Sequence, residues 1–224
     1  MFIFCLFEPM NHHIREFIRM IYAFACYMIG MYVVAFNGSP KKDGNTNRLI
    51  RYALAEIESE GIRTDIIHIG GKPVQGCLGC MKCAETLDCS CAIKTDIVNF
   101  CIQEMVKADG IIIASPTYFS DMTAETKALI DRSGFVTRMN GSLLSRKAGA
   151  AISVARRAGA VCTVDAIQHF FTINDMITIG STYWNVAFGR EPGDVDSDEE
   201  GIETMKRLGQ NMAWFLQMKE KAGL

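Results

Sequence analysis

From Met31 onward the chain alternates short, unbroken apolar runs with longer stretches whose apolar residues recur at helical spacing, and it does so five times. The apolar runs cover residues 32–37, 62–69, 110–114, 148–154 and 176–180. Runs this short and continuous suit strands buried on both faces, as in a parallel sheet. The second run differs, because Arg63 and Asp65 alternate with apolar neighbours there, which predicts an edge strand. Between the runs, helical faces are marked by Leu49, Ile50, Ala53, Leu54 and Ile57, by Ile97, Val98, Cys101, Ile102, Met105 and Val106, and by Val164, Ile167 and Phe171. Another helix is expected over 122–132, and Ile202, Met205, Leu208, Met212 and Phe215 mark the last one. Thr95 is the expected N-cap before Ile97, and Ser197 with Glu200 has capping-box spacing. Gly61 is the expected stop of the first helix. Five βα units in a row predict an α/β fold with one doubly wound parallel sheet. In such sheets a ligand sits beyond the carboxyl ends of the strands.

The chain has 224 residues, enough for one such domain with a full core. A formal charge of −2 gives no reason to expect nucleic acid or a charged membrane surface as a partner. Nine cysteines are an odd count, and five of them fall between Cys77 and Cys91, too close together to staple distant elements. Metal or redox use in a reducing cytoplasm is the expectation. Residues 1–30 are read as an extension, either an added helix or the product of a translation start upstream of Met31. The apolar stretch 20–36 falls short of the ~20 residues of a membrane helix, and its last part belongs to the first strand. His12 and His13 are expected to be solvated, and His68 and His169 to be structural. Cys5, Cys26, Cys101 and Cys162 are expected to be small buried hydrophobes.

Two loops after predicted strands carry chemistry. GSPKKDGNTN, residues 38–47, combines Gly38 and Gly44 with the donors Ser39, Asn45, Thr46 and Asn47 at the start of a helix, whose free N–H groups and dipole favour a phosphate. Neither a G-x-x-x-x-G-K-[ST] nor a G-x-G-x-x-G pattern is present, so nucleoside triphosphate and ordinary dinucleotide sites are disfavoured. Ser115-Pro-Thr-Tyr-Phe-Ser120 offers a rigid proline and two aromatics on which a flat ring could stack. Cys77, Cys80 and Cys83 have C-x2-C-x2-C spacing, with Cys89 or Cys91 available as a fourth ligand. Compact runs of this kind bind [4Fe–4S] clusters. Zinc and a bare redox thiol pair are the chemical rivals, although structural zinc more often uses two separated pairs.

GSPKKDGNTN together with SPTYFSDMTAETKALIDR resembles the NAD(P)H-dependent FMN reductase group of the flavodoxin-like family. With the cysteine run, RRAGAVCTVDAIQHFF and GSTYWNVAFGR, the resemblance narrows to the iron–sulfur flavoprotein branch and covers 31–224. It implies a five-stranded sheet of order 2-1-3-4-5 with the cysteine-rich insertion after strand two. It implies FMN, with the phosphate on Ser39, Asn45, Thr46 and Asn47 in the loop that also holds Lys41 and Gly44. The ring would meet Pro116, Thr117, Tyr118 and Phe119, and its pyrimidine end would face Ala155, Arg156 and Gly159. It implies a [4Fe–4S] cluster on Cys77, Cys80 and Cys83. Relatives often read C-x-I-K-D-D, so Cys91-Ala-Ile-Lys-Thr-Asp makes Cys91 the counterpart, while Cys89 has the shorter gap; the fourth ligand stays open between them. The implied activity is a flavin-dependent oxidoreductase taking electrons from ferredoxin or NAD(P)H to oxygen, peroxide or a quinone-like acceptor. An FMN or quinone reductase without a cluster, or a non-enzymatic carrier, is the alternative. A homodimer or homotetramer is the implied assembly. No side chain is expected to act as a general acid or nucleophile.

Overall fold

The structure is a computed structural model that describes residues 30–223. The expected N-terminal extension, with Cys5, Cys26, His12 and His13, lies outside the described residues apart from Gly30. Val33, Val34, Ala35 and Phe36 lose all contact with solvent in β1 (Tyr32–Asn37), because helices cover both faces of the strand. It pairs in parallel with β2 (Arg63–His68) on one side and β3 (Gly110–Pro116) on the other. Next come β4 (Ala148–Ala155) and β5 (Ile177–Thr178), giving the order β2-β1-β3-β4-β5, as the resemblance implied. The order reverses between β1 and β3, so a crevice opens beyond their carboxyl ends.

Strand alternation sorts the core into two layers. Val33 and Ala35 face α1 (Asn45–Ser59) and α6 (Glu199–Lys221), along with Ile112, Ala114, Ala150 and Ile152. Tyr32, Val34, Phe36, Ile111 and Ile113 face the other way, onto α3 (Val98–Lys107), α4 (Ala124–Met139) and α5 (Ala160–Ile173). Full burial of each such Ile or Phe contributes roughly 1.5–3 kcal/mol, so β1 and β3 form the stable platform on which the site loops stand. The short helix α2 (Lys82–Thr86) lies in the cysteine segment after β2 and buries none of its residues.

The structure departs from the sequence reading in five places. The fifth strand is split. After Ile179, whose N–H still bonds to Gly149, the chain leaves the sheet over 180–185 and returns as β6 (Val186–Phe188), parallel to Ser153–Ala155 of β4. Ser181 Oγ donates to Tyr183 O and Asn185 Oδ1, and these bonds close the excursion. Helix α4 runs past Arg132 because its buried face continues through Ser133, Val136 and Thr137, and the two hydroxyls are satisfied by the helix's own carbonyls, Leu129 O and Ser133 O. Asp96 accepts the Val98 N–H at the start of α3, in place of Thr95, and Asp198 caps α6, in place of Ser197, which ends a 3-10 turn over Asp194–Ser197. Cys162 is exposed on the first turn of α5, whereas Cys101 is buried as expected. No helix among the described residues is long and apolar enough to cross a membrane.

Candidate functional site

The loop after β1 is built around Asn37. Its side chain accepts the Ser39 N–H and donates to Lys42 O, and Ser39 Oγ accepts the Lys41 N–H. His68 on β2 ties in through Nε2 and Ser39 O, 2.8 Å apart, so this histidine is structural. Gly38 has no room for a side chain. A Cβ there would lie 1.9 Å from Thr126 Oγ1, and Thr123 Oγ1 donates to Gly38 O from the start of α4. The loop delivers the chain to α1, whose N-cap, Gly44, provides no side-chain cap. Asn45, Thr46 and Asn47 are buried at this uncapped end. Their backbone N–H groups and the helix dipole therefore present a ready site for an anion. The Asn45 amide has a different task. It donates to Glu191 O and accepts the Gly193 N–H, holding the loop after β6 beside the loop after β1.

The loop after β3 turns sharply. Phe119 and Ser120 have left-handed backbones, with φ of 51° and 64°, and Tyr118 and Asp121 exchange backbone hydrogen bonds around them. The turn leaves Tyr118 half-exposed and Phe119 fully exposed. Two partly hydrated aromatic faces at the mouth of a parallel sheet suit stacking on a flat ring. Thr117 points its hydroxyl the other way, to Ser153 Oγ at 2.9 Å, with Thr163 Oγ1 donating to it. These bonds lock the aromatic loop to β4 and to the start of α5. Pro116 ends β3 opposite Val154. At the end of β4 Ala155 is buried, and Arg156 and Arg157 just beyond it are exposed. Gly159 has φ 85° and packs so closely that a Cβ would lie 2.8 Å from Ser120 Oγ. The three loops therefore converge.

The cysteine segment follows β2. Cys77, Cys80, Cys83 and Cys91 carry free thiols and line one recess with Arg132, Phe135 and Val136 of α4. Left-handed residues at Gly79, Met81, Leu87 and Cys89 wind the backbone back on itself. Side-chain amides strap the loop to its neighbours. Asn99 accepts the Cys91 N–H and donates to Cys91 O and Ile93 O. Asn140 accepts the Cys89 N–H and donates to Cys83 O, and Gln103 donates to Cys89 O. Two donors reach sulfur, Gly79 N–H to Cys77 Sγ at 3.4 Å and Arg132 Nε–H to Cys91 Sγ at 3.3 Å. Burial pushes the Cys83 thiol up, and the neighbouring Cys91, Cys77 and Cys80 add to the push. Mutually repelling thiolates are what a bound cation stabilises. Among the described residues, no three His, Cys, Asp or Glu side chains converge on a single-ion site. Cys89 is buried and lies outside the recess lining.

Two side-chain contacts of the site leave no trace in the sequence. Asn45, expected on the phosphate, turns its amide to a loop 146 residues away while its backbone N–H stays at the start of α1. Arg132 was read only as the end of a helix. Its position one turn from Leu129 and Val136, both buried, was the available signal that it faces inward.

An uncapped helix start, an aromatic loop and a thiol-lined recess stand on one parallel sheet, and together with the family and relatives that follow they mark a flavin-dependent oxidoreductase of the flavodoxin-like class. The chain belongs to the NADPH-dependent FMN reductase family, whose sequence profile matches residues 31–191, and within it to the iron–sulfur flavoprotein branch. It is 36% identical over 197 residues to an iron–sulfur flavoprotein of Methanocaldococcus jannaschii, an alignment covering 85% of this chain and 100% of that one. An iron–sulfur flavoprotein of Methanosarcina thermophila is 30% identical over 199 residues, covering 85% and 98%. Among solved structures, RosB superposes with a TM-score of 0.64 at 13% identity, over 87% of this chain and 82% of that one. An archaeal flavodoxin gives 0.55 at 16% identity, over 84% and 99%. At such low identity these two share the fold.

Proposed function

We propose that the chain is an FMN-dependent redox enzyme with a [4Fe–4S] cluster on Cys77, Cys80, Cys83 and Cys91. It would pass electrons from ferredoxin or NAD(P)H to a small acceptor such as oxygen, peroxide or a quinone-like compound. The observation that carries this reading is the recess itself, which Cys77, Cys80, Cys83 and Cys91 line together with free thiols. Their compact C-x2-C-x2-C spacing supports the cluster over zinc, whose structural sites more often use two separated pairs.

The flavin loops fit FMN. The uncapped start of α1 matches a phosphate, and the exposed faces of Tyr118 and Phe119 match a ring. Ser39, Thr46 and Asn47, with the N–H groups of 45–47, would hold the phosphate, and Lys41 and Gly44 would shape the loop around it. Pro116 to Phe119 would flank the ring, and Ala155, Arg156 and Gly159 would lie along its polar edge, where a positive charge favours an anionic reduced ring. FMN exchanges two electrons and the cluster one, so together they link one-electron carriers to two-electron donors or acceptors.

Iron, acid-labile sulfide and flavin measured on anaerobically purified protein, with absorption spectra before and after dithionite, test the proposal. Cys80→Ala is expected to lose the iron and keep the FMN. Unchanged iron content in that variant would remove the cluster assignment, and colourless wild-type protein from riboflavin- and iron-replete cells would remove both cofactors.

A further inference from the structure

Arg132 is among the largest side chains that the fold buries completely, and every one of its nitrogens has a partner. Nη1 donates to Asp96 Oδ2 at 2.5 Å and to Gln75 O at 3.0 Å, and Nη2 donates to Ile93 O at 3.0 Å. These three bonds suffice to explain a structural arginine that pins residues 75–96 to α4. The fourth is different in kind, since Nε–H donates to Cys91 Sγ at 3.3 Å. The bonds to Asp96, Gln75 O and Ile93 O together fix the guanidinium plane and aim Nε at the sulfur, and Asp96 is held in turn by the Gln75 and Val98 N–H groups.

We propose that Arg132 is a positioning and tuning residue for the metal centre: it selects Cys91 as the fourth ligand and raises the reduction potential through its hydrogen bond to that sulfur. The inference rests on the cluster reading given above. Hydrogen bonds to cluster sulfurs and nearby charge are the protein's main handles on potential. Reduction adds one negative charge to the centre. A donor and a buried positive charge favour the reduced form, and Asp96 partly cancels that charge.

The test is a dye-mediated dithionite titration of the iron-loaded, FMN-containing protein under argon, with the cluster followed by EPR and iron measured on the same samples. Arg132→Gln removes the charge and the fork, and its midpoint is expected to fall. A tenfold lower ratio of reduced to oxidised cluster at a given potential corresponds to about 59 mV for a one-electron couple. Asp96→Asn keeps Arg132 and removes its counter-charge, and its midpoint is expected to rise. A disturbance of structure alone would not move the two variants in opposite directions. Arg132→Lys keeps the charge without the fork and is expected to lie between wild type and Arg132→Gln. If Arg132→Gln fails to hold iron, the sign of the Asp96→Asn shift decides. Iron-loaded variants with the wild-type midpoint, midpoints moving the same way, or loss of iron from all three variants would overturn the tuning role and leave Arg132 as a purely structural strut. Wild-type protein without iron would instead sink the cluster reading on which the inference stands.

Discussion

Gly38→Ala measures how tightly the phosphate loop is built. Its added Cβ would meet Thr126 Oγ1 at 1.9 Å, Ala114 O at 3.0 Å and Thr123 Oγ1 at 3.3 Å. The first contact lies about 1 Å inside any real carbon–oxygen approach, and Thr126 is itself fixed by its bond to Thr123 in the first turn of α4. The loop has to move instead. That movement strains the Gly38 N–H bond to Ala114 O and the Thr123 bond to Gly38 O. Overpacking of this kind costs about 1–3 kcal/mol, which for a chain of this length lowers Tm by roughly 2–12 °C. A loop shift that loses one charge-assisted bond to phosphate costs about 1.5–3 kcal/mol, or roughly 10- to 100-fold in FMN affinity. Fluorescence titration of FMN into apoprotein, with thermal unfolding in parallel, reads both. The cause is isolated by Thr126→Ala, which alone should destabilise by the loss of a buried hydrogen bond. In the Gly38→Ala background it should be neutral or stabilising, because it removes the atom in the way. Additive losses in the double variant, or a Gly38→Ala protein with wild-type Tm and FMN affinity, would refute the packing argument.

Three further outcomes follow. Cys91→Ala is expected to lose iron as Cys80→Ala does, whereas Cys89→Ala should retain it, since Cys91 lines the recess with the other three thiols; iron per protomer checks both. Burial raises the Cys101 thiol to about 12, while Cys162 is exposed, so iodoacetamide at pH 8 should label Cys162 in the native protein and reach Cys101 only after denaturation, as read by peptide mass spectrometry. The backbone N–H groups of Glu191 and Arg190 hold the Asp194 carboxyl below the usual range. A depressed carboxylate adds stability above its unfolded pKa of about 3.9 and loses it as pH falls through the lower folded value. Between pH 5 and pH 3 the urea midpoint of wild type should therefore drop further than that of Asp194→Asn.

The platform was legible because burial on both faces leaves a direct trace in composition. β1, β3 and β4 are continuous apolar runs, and the alternation of Arg63 and Asp65 announced the edge. The split in the fifth strand was not legible. Ile177 and Thr178 are both exposed, so the run 176–180 was apolar without being a fully buried strand, and the return at Val186 depends on Asn185 O meeting Ser153 N–H across the sheet. The caps slipped by one residue at Thr95 and Ser197 because an aspartate stands next to each, and local spacing does not say which oxygen meets the free N–H groups. The partners of Asn45 and Arg132 were not legible for a shared reason. Their side chains act on residues far away in sequence, and a pattern of neighbours carries no record of such partners.

Those distant partners lead to the organisation of the site. Thr123 and Thr126, at the start of α4, hold the phosphate loop through Gly38, while Arg132 and then Asn140, at its end, hold Cys91 and the backbone of Cys83 and Cys89. One helix therefore sets the geometry of both the loop after β1 and the cysteine segment. At about 1.5 Å per residue, Thr126 and Arg132 lie about 9 Å apart along it. Within it the hydroxyls of Ser133 and Thr137 are satisfied by the helix's own carbonyls, so neither buried side chain is left without a partner. Beyond Arg132 the helix serves two neighbours at once: Val136 packs in the core and Thr137 Oγ1 donates to Asn174 Oδ1 at the end of α5, while Asn140 holds the backbone of Cys83 and Cys89, so its length ties the cysteine segment to the packing of α5.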